Sequence, residues 1–500
     1  MSKEKESIQI DNFNSTANLT SNPGFQSSLS IASKTPADDK PYNPFEHRDL
    51  AHPNSTIGSV VHLLKACLGT GLLAMPAAFK NSGLIVGIIG TLVSGLVCTH
   101  TVAMVVRTAQ KLCVDLKKPA LSFSETCGAA MTMGPEKLHK WSNAVRVAVD
   151  WSLSITYFSV LCVYVVFIGS SLKETDFDKM QNRLQGVTQM KPQMKVLDYY
   201  YPEALSIQGY CALTLVPLVL LCQIRNLKYL VPFSLIANVL VFVVFAITLY
   251  YLFVDLKPIG DREMVANVKS WPLFVSTAIF AMEGIGVVMP VENEMRNPKR
   301  FLGCPGVLNT AMGVTISLYC IVGFFGYVEY GDTLKGSVTL NLPEDELLAQ
   351  TAKLLMALVI FLSYALQFYV PMEMITRMRK GKESKYENLG QVMIRTVIVT
   401  ITVCIAATFP NLEMVISFVG AVFFSTLGLL LPAMVDILYR WHSGFGPCNY
   451  VLWKDIIIAI VAIVALFSGA YVSVLGIIEN FGVSSHDVHD IVDSHNATLT

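Results

Sequence analysis

Two glycine-rich interruptions carry the chemistry this chain offers. Residues 67–79 read CLGTGLLAMPAAF, and residues 279–294 read IFAMEGIGVVMPVENE. In each, a Gly-x-Gly step sits inside an apolar run and a proline follows: Pro76 after Gly69-Thr70-Gly71, and Pro290 after Glu283-Gly284-Ile285-Gly286. A membrane-spanning helix satisfies its backbone hydrogen bonds internally, so a break at that depth is tolerated where the backbone lines a polar cavity. Each glycine costs a helix about 1 kcal/mol relative to alanine. Freed amides at such a break can hold a carboxylate, and freed carbonyls can hold a cation. The candidate substrate-binding residues are therefore Gly69, Thr70, Gly71, Ala281, Met282, Glu283 and Gly284. Glycines can also serve only to let helices pack closely. Two breaks in corresponding spans, one of them bearing a carboxylate, favour a site.

The ionisable groups within apolar runs come next. A charge at the bilayer centre costs roughly 2.5–3.5 kcal/mol on insertion scales, so each needs a partner, a proton or water. Glu283 would either brace the break or carry a proton. His62, eight residues before Thr70, and His100, in the second half of the next span, change charge near neutral pH and are candidates for proton coupling. A neutral histidine bonded to a neighbouring carbonyl is the simpler alternative for either one. Lys65 is expected to snorkel to the inner surface. Asp150 is expected to pair with Arg146, and Lys353 and Glu329 are expected to be solvated near the outer face.

These residues need a membrane scaffold, and the composition supplies one. Of 500 residues, 53% are hydrophobic and only 15% are charged, against about a quarter charged in soluble domains. Mean hydropathy is +0.51. Net charge is zero, which gives no basic balance toward nucleic acid. Eleven cysteines are scattered without a CxxC pair, so no metal or redox cofactor is expected. No nucleophile–base arrangement stands out, and an enzyme is not expected.

Apolar runs of spanning length predict eleven helices, over 57–79, 84–107, 145–170, 205–224, 231–253, 272–290, 305–329, 347–371, 389–409, 413–436 and 455–478. Lys and Arg between them number 25 on the side of the N-terminus and 10 on the other, with Lys65 and Lys353 inside spans. Cytoplasmic loops carry the excess of these residues, so the N-terminus is placed in the cytosol and the C-terminus outside or in a lumen. The breaks fall in spans 1 and 6. Spans 1–5 and 6–10 then insert with opposite orientation, the inverted-repeat plan of many secondary transporters. The expected organisation is a disordered cytosolic tail (1–54), a first five-helix repeat (55–253), a second (272–436), an eleventh helix (455–478) and an outer or luminal tail (479–500). Asn496 lies in the only glycosylation sequon on the outer side; Asn14, Asn18 and Asn54 lie in sequons on the inner side.

Longer motifs bring a resemblance. HLLKACLGTGLLAMPAAFKNSG (62–83) and EGIGVVMPVENEM (283–295) resemble helices 1 and 6 of the proton-assisted amino acid transporters, solute carrier family 36, of the amino acid/auxin permease-like superfamily. LCVYVVFIGSSLK (161–173), IRNLKYLVPFS (224–234) and GSVTLNLP (336–343) are similar to that family's helix 3, helix 4–5 junction and outer loop. The resemblance implies an all-α integral membrane fold of eleven helices with a broken-helix core. It implies symport of small neutral amino acids (glycine, alanine and proline) with protons. It places His62 and His100 at the family's coupling histidines, the substrate carboxylate at Gly69-Thr70-Gly71 and the amino group at the helix 6 break. Two departures bear on the pocket: Ala66-Cys67-Leu68 replaces a more usual Gly-Asn-Ile, and Met282 replaces a Phe.

The expected partners are thus a small neutral amino acid, a proton and the bilayer, with a cytosolic partner of the tail as a further option. An amino-acid sensor with little flux and a sodium-coupled carrier are the alternatives. Tyr42-Asn43-Pro44-Phe45 has the form of a sorting signal, which leaves plasma membrane and lysosomal membrane both open.

Overall fold

The computed structural model describes residues 42–48, 53–175, 206–225, 227–254, 256–282, 284–379 and 387–480. Glu283, Asn14, Asn18, Asn496 and most of both tails lie outside the described residues. The chain divides into Met1–Tyr42 and Asn43–Thr500, and the second unit carries all the described helices. Among the described residues the only β element is an isolated bridge between Asn54 and Met295.

The first broken span is α1 (Thr56–Cys67) and α2 (Thr70–Ser82), bent by 50°. Ser55 caps α1 by accepting the Gly58 N–H at 3.0 Å. Then follow α3 (Leu84–Asp115), α4 (Ser142–Lys173), α5 (Ile207–Leu213), α6 (Leu215–Cys222) and α7 (Leu227–Val254). The sixth span is again divided, into α8 (Trp271–Met282) and α9 (Ile285–Asn293). It is followed by α10 (Val307–Tyr330), α11 (Leu347–Arg379), α12 (Glu387–Thr408), α13 (Leu412–Val419), a π-helical stretch (Gly420–Leu430), α14 (Leu431–Arg440) and α15 (Tyr450–Asn480).

Nine described helices are long and apolar enough to cross a membrane, and the bent α1–α2 pair makes a tenth. Each of the eleven expected spans falls on helix, but the fourth, Ile207–Cys222, is shorter than a spanning helix. The protein is an all-helical integral membrane protein.

Burial follows position in the bundle. Every residue of α2 from Thr70 to Phe79 is buried, as expected of a helix apolar on all sides. On α7 and α15, by contrast, Leu235, Val239, Phe242, Ile457, Val464 and Phe467 are exposed, the faces that lipid covers. The turn between α2 and α3 uses Gly83 at φ +81, where an added Cβ would strike the backbone of Met264 and Ala266. Glycine alone adopts that conformation without strain.

Three charged residues differ from expectation. Lys353 is wholly buried, donating to the Glu174 carbonyl at 3.3 Å. Glu329 is 8% exposed and pairs with Lys257 at 3.8 Å. A place near a span end suggests solvent, but Lys257 and Arg262 of the 254–271 connection lie against Glu329, and Glu174 at the end of the third span lies against Lys353. Arg146 donates to Asn143 at 3.1 Å rather than to Asp150. Lys65 reaches Ser234 Oγ at 2.8 Å, on α7.

Candidate functional site

The two breaks meet. The Gly71 Cα lies so close to α8 that an added Cβ would come within 2.6 Å of Ala281 Cα. Between the breaks is a cavity of about 150 Å³. One wall is Gly69, Thr70 and Gly71, and the facing wall is Ala281, Gly284, Ile285 and Gly286. The rest comes from α4 (Thr156, Tyr157 and Tyr164), from Gln367 on α11, and from Phe424 and Leu427 on the π-helical stretch. Widened helical turns of that kind recur at functional sites because they re-aim side chains.

The breaks present backbone of both polarities. α2 begins at Thr70 and α9 at Ile285; their N-cap residues, Gly69 and Gly284, supply no capping side chain. The first amides of a helix have no intrahelical acceptor, and the helix dipole adds positive potential there. The wall at Thr70 therefore carries a helix N-terminus without a capping side chain, suited to an anion. The half-helices that arrive at the breaks, α1 and α8, end in carbonyls of the opposite polarity. Two of these, Cys67 O and Ala281 O, each lie 2.6 Å from the Tyr319 hydroxyl of α10, and that tyrosine is fully buried. No Asp, Glu, Lys, Arg or His is among the described residues lining the cavity.

The other residues singled out from sequence sit as follows. Met282 is buried and does not line the cavity; its sulfur lies toward Gly95 of α3. His62 is exposed on α1, one helical turn before Ala66, which is also exposed and lines the cavity. Residues four apart share a helix face, so His62 lies on the face of α1 that carries Ala66, and it does not line the cavity. His100 is exposed on α3 and is not in the cavity lining; its nearest charges are Lys454, Arg107 and Asp436.

Both ends of the first broken span are tied down by ions. Before α1, Arg48 pairs with Glu292 at the end of α9 at 3.2 Å, their side chains 4% and 2% exposed. Arg48 also donates to the Glu292 carbonyl at 3.0 Å and to the Pro119 carbonyl at 2.9 Å. Gln110 adds a bond to Glu292 Oε1 at 2.8 Å. In the last turn of α2, Lys80 pairs with Glu413 at 3.3 Å, and Asn81 donates to the same carboxylate at 2.6 Å.

The profile of a family described as "Transmembrane amino acid transporter protein" matches residues 52–475. The chain belongs to that family. Within it, a relative described as "Proton-coupled amino acid transporter-like protein pathetic", from Drosophila melanogaster, is 37% identical over 440 residues, covering 88% of this chain and 89% of its own length. "Vacuolar amino acid transporter 3" of Saccharomyces cerevisiae is 25% identical over 433 residues, covering 85% of this chain and 57% of its own. This transmembrane amino acid transporter family is one of carriers, not enzymes.

In this family member the sequence reading overlooked Tyr157, Tyr164, Gln367 and Tyr319. Gln367 was visible as an amide in the apolar run IFLSYALQ, four residues after Ser363. The tyrosines carried no such signal, since an aromatic in a span is ordinary core.

Proposed function

We propose that the protein carries a small neutral amino acid across a membrane in symport with protons, gripping the zwitterion between its two helix breaks. The substrate carboxylate lies against the uncapped amides of Thr70 and Gly71, with the Thr70 hydroxyl alongside. The ammonium lies against carbonyls at the end of α8, near Ala281 and Met282, and Gly284 completes that wall. The observation that carries this reading is the cavity bounded on both sides by broken-helix backbone and free of charged side chains among its described lining residues. A zwitterion has no net charge for a side chain to neutralise, and helix termini of both polarities suit its two ends.

Size points the same way. Cavities of about 150 Å³ accept benzene, with six heavy atoms; alanine has six and glycine five. Gln367, Tyr157 and Tyr164 supply hydrogen-bonding groups on the remaining wall.

The proton reading rests on His62, which lies one helical turn before the cavity-lining Ala66 on the same face of α1. Protonation there biases the core toward one orientation, and a gradient does work only if the two orientations differ in proton affinity. His100 is the secondary candidate. The architecture is that of eleven spans, with spans 1–5 and 6–10 as inverted repeats, the N-terminus cytosolic and the C-terminus, with Asn496, outside or luminal. The membrane is plasma or lysosomal.

The test is uptake of labelled glycine, proline and tryptophan by the purified protein in liposomes, with and without an imposed pH gradient and with sodium replaced. Accumulation of glycine and proline that follows the pH gradient and ignores sodium supports symport. Uptake that requires sodium overturns proton coupling. Binding without flux makes the protein a sensor.

A further inference from the structure

The Tyr319 hydroxyl touches both arriving half-helices. It lies 2.6 Å from Cys67 O, the last residue of α1, and 2.6 Å from Ala281 O, in the last turn of α8. A phenol carries one proton, so it satisfies one carbonyl at a time or shares the proton between them. Carbonyls at the ends of broken transmembrane helices are the groups that coordinate a coupling cation in this kind of architecture. The spacing here is of that order: hard cations hold oxygen ligands at about 2.3–2.6 Å. A cation placed at the Tyr319 oxygen would contact the same two carbonyls, one from each break.

We propose that Tyr319 determines coupling-ion specificity: its phenolic O–H stands in place of a bound alkali cation between the two helix breaks, and it holds the breaks together without one. The inference deepens the transport reading and rests on it. It assigns to the chain a built-in donor where a sodium-dependent carrier would need an ion. Tyr319 is a positioning residue, acting through the backbone of Cys67 and Ala281, which line the cavity.

Three groups set the expected behaviour. The site is buried: Tyr319 is fully buried on α10, and Cys67 and Ala281 are 3% exposed. Tyr319→Phe keeps the ring and removes the shared donor, leaving the Ala281 carbonyl facing a C–H and no room for an ion, while the Cys67 carbonyl keeps the Gly69 N–H at 2.9 Å. Tyr319→Ser removes the ring, keeps a hydroxyl, and opens a gap lined by carbonyl oxygens. The first variant loses the bridge; the second converts the bridge into a cation site.

The experiment uses the purified full-length chain in two formats. In detergent, the melting temperature is measured in sodium, lithium and N-methylglucamine chloride at equal ionic strength, which requires no transport. The wild type melts within about 1 °C in all three, and Tyr319→Ser melts at least ~2 °C higher in sodium or lithium than in N-methylglucamine. In liposomes, exchange of labelled alanine by the wild type is indifferent to the cation. Exchange by Tyr319→Phe falls at least about tenfold in every salt, and exchange by Tyr319→Ser recovers at least about fivefold only in sodium or lithium. A cation-specific rise in wild-type melting temperature overturns the proposal. So does a folded Tyr319→Ser with no cation response, or a Tyr319→Phe that exchanges alanine within about twofold of wild type. If Tyr319→Ser does not fold, Tyr319→Asn takes its place in both formats, and failure of both to fold in sodium or lithium as well as in N-methylglucamine also overturns it. Absence of alanine exchange by the wild type would overturn the transport reading instead, while the melting experiment would still decide the role of Tyr319.

Discussion

Gly71 and Ala281 are in backbone contact: a methyl group on Gly71 would come within 2.6 Å of Ala281 Cα and 2.9 Å of Ala281 Cβ. Two residues away, a methyl group on Gly69 would meet nothing within 4 Å. The two glycines of one motif therefore have different reasons to be glycine. Gly71 permits the breaks to touch, and Gly69 leaves room in the cavity.

Gly71→Ala is expected to force the half-helices apart, at an overpacking cost of about 1–3 kcal/mol, and to abolish labelled alanine exchange. Gly69→Ala is expected to fold as wild type and to keep glycine exchange while losing proline. Melting temperature and paired exchange assays on the two purified variants check the contrast. Equal behaviour of both variants would contradict it.

Arg48 and Glu292 form a buried pair whose loss on one side strands a charge. Breaking such a pair costs about 3–5 kcal/mol. Arg48→Ala should lower the melting temperature strongly. The double variant Arg48→Ala/Glu292→Gln should recover part of the loss, because the neutral carboxamide can still accept the Gln110 amide bond now made at 2.8 Å. A double-variant cycle on melting temperature reads the coupling; additive losses would mean the pair contributes nothing as a pair.

His62→Ala should abolish uptake driven by a pH gradient while leaving alanine exchange at equal pH within about twofold of wild type. His100→Ala should have the smaller effect, since His100 is not in the cavity lining. Full pH-driven uptake by His62→Ala would remove that residue from the mechanism.

Substrate size should track the cavity. Unlabelled glycine, alanine and proline should compete with labelled alanine, and tryptophan should not, in a volume of about 150 Å³. Competition by tryptophan as strong as by alanine would show that the pocket enlarges on binding.

Much of this was legible from spacing alone. The Gly-x-Gly steps at 69–71 and 284–286 marked both breaks, because a helix interrupted at membrane depth needs a polar reason. The apolar runs placed the long helices, but not Phe123–Met133 in the connection between the second and third spans. What pattern could not show was what comes together across the bundle. Tyr319, Tyr157 and Gln367 reach the site from α10, α4 and α11, and their helices bear no interruption to flag them. Lys353 and Glu329 misled because distance along a span indicates depth but not what folds over its end. The fourth span is short because helix covers only Ile207–Cys222 of the apolar stretch 205–224, an end that hydropathy averages away.

The decisive measurement is a density map of the full-length protein in lipid nanodiscs with saturating alanine. An amino acid between the two breaks, its carboxylate within about 3.2 Å of the Thr70 and Gly71 amides and its ammonium toward the end of α8, is the expected result. A map with alanine bound elsewhere, or with continuous helix through residues 67–71 and 281–286 and no density between them, would contradict it.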